Sequence, residues 1–287
     1  MAKLRTRKHK VVLSRSAGGD AGIVVLLVVL GAFMFLPMLY VVMQSLKPLD
    51  ELWNYPPRFY VVNPSFKNFR DLFILMNDSW VPFSRYIFNT IFTSVCGTFG
   101  HLFIASMCAY SLAKIKFPGA KGTFKLIRTS LMFHATVTAV ASFILMSAFH
   151  MIDSYWAIII PAWGDTLGLY LMKQFIDANV SDEMIEAARI DGAGELRIYW
   201  QIVMPLVKPA WLTLLVTTFQ GVWNAGASGY VWSEQLKTFN TAIANISGVS
   251  AGASSAGSVV MMSVPIIIFI INQSKIVETM GSSGMKD

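Results

Sequence analysis

Residues 186–209 read EAARIDGAGELRIYWQIVMPLVKP, a polar and amphipathic stretch in a chain that is otherwise strongly apolar. Ser181, shortly before this stretch, can cap the start of a helix, and the acidic residues that follow it suit the positive end of the helix dipole. Gly192 suits the left-handed conformation that ends a helix, so a second helix can begin near Glu195. The stretch therefore predicts a helix, a sharp turn and a second helix.

The composition of the whole chain indicates an all-α membrane protein. Hydrophobic residues make up 55% of the 287 and charged residues 14%, whereas soluble domains have about 25% charged residues. We predict a basic tail at residues 1–20 and a single transmembrane domain over residues 21–287, with an outside loop at 47–84 and a polar loop at 177–205. Six apolar stretches reach the roughly 20 residues that a spanning helix needs. The six predicted helices span residues 22–46, 85–113, 124–149, 155–176, 206–228 and 254–275.

The distribution of positive charge predicts the orientation of these helices. With both termini in the cytoplasm, the inside segments hold 17 of the 23 Lys and Arg residues, as the positive-inside rule requires. This orientation places residues 186–209 on the cytoplasmic side. The first apolar segment, residues 21–46, exceeds the roughly 7 to 15 residues of a signal-peptide core, so we expect it to stay attached as the first helix.

The order of small and polar residues in this loop resembles the cytoplasmic signature of ATP-binding-cassette (ABC) importer permeases. The residues that carry the signature are Glu186, Ala187, Ala188, Gly192, Ile202 and Pro205. The runs NTIFTSV, AYSLAKIKFPGAK, DSYWAIIIP, LYLMKQF and FQGVWN extend the resemblance, over nearly the whole chain, to carbohydrate-uptake permeases related to the maltose importer. Met204 stands where the family usually has leucine, a swap that conserves volume.

The resemblance implies a six-helix type I permease bundle with a cytoplasmic coupling helix between the fourth and fifth spans. Such permeases work with a second permease, usually a different protein, with two ATPase subunits and with an extracytoplasmic solute-binding protein. The residues implied to contact the ATPase are Glu186, Ala187, Ala188, Asp191, Gly192, Ala193, Ile202 and Pro205. An ordinary amphipathic loop at the membrane surface is the alternative, but it does not require this order of alanines, glycine and proline.

The sequence predicts a transport subunit rather than an enzyme. The phosphate-binding pattern of Gly, four residues, Gly, Lys and Ser or Thr does not occur, so ATP and Mg are expected on the partner ATPase subunits and no cofactor on this chain. The four histidines show no metal-ligand or general-base spacing. We expect the protein in a prokaryotic cytoplasmic membrane, with a carbohydrate as its cargo.

Polar and aromatic residues within the predicted spans are candidates for the substrate pathway. They are Asn89, Asp165, Gln220, Trp223 and Asn224. Gln220 and Asn224 share one face of a helix, where hydrogen bonding between helices is an equal alternative to a contact with sugar hydroxyls.

Asp165 is the sharpest outlier, because a carboxylate at membrane depth is costly and is a functional hypothesis by default. Three interpretations remain open for it. It lines the pathway, it pairs with a basic residue of the second permease, or it caps a helix at a break after Pro161.

Two other functions compete with sugar import. An ABC importer permease for another polar solute would share the cytoplasmic loop. A secondary transporter would be expected to show inverted internal repeats or ion sites within its spans, and the sequence shows neither.

Overall fold

The computed structural model of the protein describes residues 17–77, 80–226 and 229–283, and all regular structure within these residues is helical. The prediction of an all-α chain is confirmed. Most of the predicted basic tail, at residues 1–16, lies outside the described residues, as do residues 227–228 at the end of the fifth predicted helix.

Fourteen α-helices follow one another along the described chain. They are α1 (Ala17–Leu46), α2 (Leu49–Leu52), α3 (Lys67–Asn77), α4 (Phe83–Lys114), α5 (Ala120–Ser130), α6 (Ala135–Ala148), α7 (Trp156–Trp163), α8 (Thr166–Asn179), α9 (Asp182–Ile190), α10 (Glu195–Ile198), α11 (Met204–Leu206), α12 (Lys208–Asn224), α13 (Phe239–Ser247) and α14 (Ala251–Ser283). A π-helix, Tyr199–Val203, joins α10 to α11, and a 3-10 turn, Glu234–Leu236, precedes α13.

Three described helices are long and apolar enough to cross a membrane. They are Gly18–Leu46, Phe83–Lys114 and Ala251–Gln273. A fourth span exists if Glu195–Leu206 and Lys208–Asn224, which meet at an angle of 82°, count as one broken span. The chain is therefore a multi-pass membrane protein.

Helix α4 lies at the centre of the bundle, against α7, α8 and α12. Its buried face is polar, and its exposed face carries apolar side chains such as Phe88, Ile91 and Phe99. This is the reverse of a soluble helix, and it is stable because lipid covers the apolar face while neighbouring helices satisfy the polar one. Gly100 and Gly168 allow this close packing, since a Cβ at either position would collide with a ring of the facing helix.

The structure differs from the prediction at the third and fourth helices. The predicted helix 124–149 is two helices, α5 and α6, because the chain breaks at residues 131–134 and His134 caps α6 through the backbone N–H of Thr136. The predicted helix 155–176 is likewise α7 and α8, separated by Gly164 and Asp165 just after Pro161. A break after Pro161 is one of the alternatives considered for Asp165 in the sequence, and the structure has such a break.

The predicted outside loop is partly ordered by contacts with the last helix. Helix α3 lies on α14, and the buried Asn68 donates to the carbonyl oxygens of Ser45 and Lys47 at 2.9 and 2.7 Å. Nearby, the Asp153 carboxylate accepts from the backbone N–H groups of Trp232 and Ser233 at 2.9 and 2.8 Å. Segments far apart in sequence are therefore fixed to one another at this end of the bundle.

Candidate coupling segment and adjoining clefts

Helix α9 begins as the sequence predicts, with a side-chain cap and acidic residues in its first turn. The Ser181 hydroxyl accepts from the backbone N–H of Met184 at 3.4 Å. Asp182 forms an ion pair with Lys114, at the end of α4, with 2.7 Å between Oδ1 and Nζ. The hydrogen bond from Lys114, together with its charge, lowers the pKa of the Asp182 carboxyl from its ordinary value.

Gly192 ends α9 in the conformation predicted for it, with a φ of +79°. Its backbone N–H donates to the carbonyl of Arg189, and the next N–H, of Ala193, donates to the carbonyl of Ala188. These two bonds form a Schellman turn, which satisfies carbonyls that a helix end would otherwise leave free. The turn points the chain from α9 directly into α10.

A polar network fixes α9 to the bundle. Arg189 Nε lies 2.7 Å from Glu195 Oε1, which joins α9 to α10. The hydroxyl of Tyr110, on α4, donates to Glu195 Oε2 at 2.6 Å. One carboxylate thus links both helices of the predicted loop to the central helix.

Behind this network, an apolar core holds the second half of the segment. Ile198, Tyr199 and Val203 are buried against α4, α8 and α12. The Tyr199 hydroxyl also lies 2.6 Å from Ser106 Oγ on α4, so the π-helix is anchored by a hydrogen bond as well as by packing. The segment therefore moves with the bundle rather than as a free loop.

The predicted contact residues divide into exposed and inward-facing sets. Glu186, Ala187, Asp191, Gly192 and Pro205 are exposed, Ala193 and Ile202 are half-buried, and Ala188 is buried. The sequence predicts that both alanines face a partner, but only Ala187 is exposed. Ala188, the next residue along the helix, points to a different side of α9 and packs into the core of this chain. Whether the exposed residues meet an ATPase stays a prediction.

A cleft of about 850 Å³ lies beside α9. One wall is the end of α4 with the turn that leads to α5, and the other is α9. Basic and acidic side chains both line it, namely Lys114, Lys116, Lys121, Asp182, Glu186 and Arg189.

A second, apolar cleft of about 490 Å³ lies between α7, α8 and α12. Asp165 stands at its edge and caps α8, accepting from the backbone N–H groups of Leu167 and Gly168 at 3.2 and 3.4 Å. This contact corresponds to the third interpretation left open for Asp165, that it caps a helix after Pro161. The carboxylate is also exposed, so the cap leaves room for a contact with another molecule.

The other pathway candidates are not gathered around this cleft. Asn89 is buried and donates both amide hydrogens to the carbonyls of Gln235 and Lys237, so it has no donor left for a ligand. Trp223 is buried and donates to the carbonyl of Met261 on α14. Gln220 is half-buried and Asn224 is exposed, and neither of them lines this cleft.

Comparison with known proteins supports the resemblance seen in the sequence. No family model matches the chain. The chain is 30% identical over 177 residues to the sn-glycerol-3-phosphate transport system permease protein UgpE of Yersinia enterocolitica, which covers 62% of this chain and 61% of that relative. It is 26% identical to the arabinooligosaccharides transport system permease protein AraQ of Bacillus subtilis, over 88% of this chain and 93% of that protein.

A solved structure shares the fold. It is the crystal structure of a bacterial ABC transporter involved in the import of the acidic polysaccharide alginate. The likeness has a TM-score of 0.71 at 23% identity and covers 91% of this chain and 98% of that chain. The chain is homologous to permease proteins of bacterial transport systems. The predicted resemblance is thereby confirmed, although the chain spans only 61% of the length of the first relative named above.

The sequence did not single out the residues that hold the segment in place. In the sequence, Glu195 marks only the start of a helix, Tyr110 is one letter of a matching run, and Arg189 carries no separate signal. The two partners Tyr110 and Glu195 lie 85 residues apart, so no local spacing joins them.

Proposed function

We propose that the chain is one membrane-spanning half of an ATP-driven importer that translocates a sugar or oligosaccharide delivered by a solute-binding protein. The observation that carries the proposal is the exposed surface of α9 and its turn, presented on a segment that is fixed to the centre of the bundle. The names of the relatives, which concern glycerol-3-phosphate, arabinooligosaccharides and alginate, support carbohydrate-like cargo.

The proposal includes the partners and the orientation of the chain. A second permease completes the pathway, two ATPase subunits bind ATP and Mg, and both termini lie in the cytoplasm of a prokaryotic cell. The six spans are α1, α4, α6 with the residues that lead into it, the α7–α8 pair, α12 and α14. The excess of Lys and Arg on the α9 side supports this arrangement.

The contacts of α9 suggest how motion reaches the pathway. The closed ATPase dimer would stabilise one of two bundle conformations through the exposed residues of α9. Because Lys114 and Tyr110 tie α9 and α10 to α4, a displacement of the segment is transmitted to α4. Helix α4 in turn packs on α7, α8 and α12, the three helices around the apolar cleft.

Two substitutions test the coupling role. Gly192→Val forces a β-branched residue into a left-handed conformation, which costs about 1 to 2 kcal/mol and distorts the turn. Glu186→Lys reverses an exposed charge on α9. We expect each variant to remain inserted in the membrane while ATP-dependent uptake and co-purification of the ATPase are lost. Glu183→Lys, an equal charge change on the same helix outside the predicted contact, is the matched control, and normal transport by both test variants would remove α9 from the coupling role.

Asp165 provides a separate test of the pathway. Asp165→Asn keeps an oxygen that can cap α8 but removes the charge, so the fold should persist. If Asp165 contacts the sugar or a basic residue of the second permease, uptake or assembly falls by tenfold or more. Normal uptake with normal assembly would leave only the capping role.

The alternatives differ in their energy source and cargo. Uptake that disappears when the partner ATPase is deleted supports an ABC importer, whereas gradient-driven flux through the purified chain alone would establish a secondary transporter. A binding screen of the cognate solute-binding protein against a glycan panel separates carbohydrate from another polar solute.

A further inference from the structure

Helix α5 and the turn before it form the most basic segment of the described chain. Five basic residues and no acidic one lie between Lys114 and Arg128. Lys114 is paired with Asp182, but within residues 17–77, 80–226 and 229–283 the other four form no ion pair. Three of these four lie on α5 itself.

The three basic residues on α5 share one side of the helix. Lys121, Lys125 and Arg128 stand at positions i, i+4 and i+7, within an arc of about 60° at about 100° per residue, and all are exposed. We call these three residues the basic stripe. A helix of this kind, with cations on one side and apolar groups on another, is typical of a membrane interface.

Contacts with α8 fix the direction in which the basic stripe points. The ring of Phe124 stacks on Tyr170 with centroids 6.0 Å apart and planes 6° apart. Lys173 Nζ lies 4.4 Å from the centroid of the Phe124 ring, so the ring makes a cation–π contact in addition to its stacking on Tyr170. Because the Phe124 side of α5 faces the bundle, the adjoining stripe cannot turn inward.

The neighbouring helices place α5 at the depth of the lipid headgroups. Helix α4 has 32 residues and is about 48 Å long, well above the roughly 30 Å hydrocarbon core, so its end at Lys114 reaches water. Helix α5 begins six residues later, and the apolar α6 follows it with exposed side chains such as Val137 and Ile144. The exposed Leu126 on α5 and the exposed Phe133 just after it are groups suited to the acyl region.

We propose that the basic stripe binds the phosphate groups of anionic phospholipids and thereby fixes α5 at the membrane surface. Three positive charges without a carboxylate partner are complementary to clustered lipid phosphates, and each Lys or Arg near an anionic membrane surface contributes to binding. An acidic protein partner fits less well. Lys121 also lines the cleft that contains Asp182 and Glu186, but Lys125 and Arg128 do not, and they continue the stripe away from these acidic residues towards the apolar helix α6.

The test titrates the purified full-length chain with phosphatidylglycerol or phosphatidylcholine and counts bound lipids by native mass spectrometry. Replacing Lys121, Lys125 and Arg128 together by Gln should weaken phosphatidylglycerol binding about a hundredfold, at about fivefold per charge, and leave phosphatidylcholine binding unchanged. The matched control replaces three exposed basic residues elsewhere, Arg58, Lys67 and Arg70, by Gln and should bind as the unmodified chain does.

Two further measurements test the proposal even if the triple Gln variant does not fold. Lys121→Arg with Lys125→Arg and Arg128→Lys keeps every charge and should retain phosphatidylglycerol. Raising the salt concentration should weaken phosphatidylglycerol binding to the unmodified chain. Equal phosphatidylglycerol binding by the Gln variant and the unmodified chain overturns the proposal, as does salt-independent binding. Loss of a co-purifying ATPase with lipid binding intact would overturn it in favour of a protein partner.

Discussion

At the residue scale, Glu195 decides how the coupling segment is attached. It accepts from Arg189 on its own side and from Tyr110 across the interface with α4. Both contacts are hydrogen bonds to the same carboxylate, a kind of bond that contributes about 1.5 to 3 kcal/mol where it is shielded and less where it is exposed to water. Of the two, only the bond from Tyr110 joins Glu195 to the central helix α4.

Close packing at Gly168 gives a prediction at this scale. A Cβ there would lie 2.6 Å from a Leu214 methyl group and closer still to the His101 ring. Gly168→Ala should therefore destabilise the bundle by about 1 to 3 kcal/mol, as overpacking does in other cores. Thermal unfolding of the purified chain measures the effect.

Gly122→Ala is the control for this change. No atom lies within 4 Å of its would-be Cβ, and alanine favours a helix more than glycine does, so this variant should be neutral or slightly stabilised. If Gly168→Ala unfolds at the same temperature as Gly122→Ala, the close approach of α4, α8 and α12 is not as described.

At the element scale, local signals predicted the start of α9 and the turn that ends it but missed the break between α5 and α6. The cap at Ser181 and the turn at Gly192 follow from short-range hydrogen bonding, so a few letters of sequence contain them. The break at residues 131–134 lies in an uncharged run, LMFH, which contains neither glycine nor proline and continues directly into the apolar α6. Apolar content measures affinity for lipid and does not reveal where a helix in lipid is interrupted.

The outer turn around Asp153 gives an element-scale prediction about pH. Hydrogen bonds from the Ser233 hydroxyl and backbone, and from the Trp232 backbone, lower the pKa of the Asp153 carboxyl from its ordinary value. A lowered folded-state pKa means that the contact stabilises the turn above the ordinary pKa and is lost as pH falls through the lowered value. The attachment of residues 229–233 should therefore be constant at neutral pH and weaken only below about pH 4.

Hydrogen exchange of the peptide containing Trp232 and Ser233 checks this pH dependence. Expressed as protection factors, which remove the intrinsic effect of pH on exchange, protection should be high at pH 6 and reduced at pH 3. Asp153→Asn removes the titrating charge while keeping a side chain that tolerates the positive φ of 57°, and it should show reduced protection at both values. Protection of the unmodified chain that is unchanged at pH 3 would contradict the assigned role of the carboxylate.

At the scale of the whole molecule, the sequence established the class of protein and left the arrangement of helices open. Charge-free stretches and the bias of Lys and Arg are global properties, and they predicted a multi-pass helical chain. The candidates for the substrate pathway were not predicted as well. Asn89 and Trp223, for example, form hydrogen bonds to other segments of the chain in the structure. In lipid, a polar side chain must find a partner whether it has a transport role or not, so polarity alone does not separate the two.

The reversed polarity of α4 also constrains how the chain enters the bilayer during synthesis. Asn89 and His101, both fully buried in the finished bundle, would face acyl chains if α4 inserted alone. The helices that cover them, α7, α8 and α12, leave the ribosome only after α4 is complete. The nascent α4 must therefore remain at the insertion machinery, or beside water, until its later neighbours arrive. Insertion of this protein into the membrane is therefore cooperative, because its most central helix depends on helices that are synthesised after it.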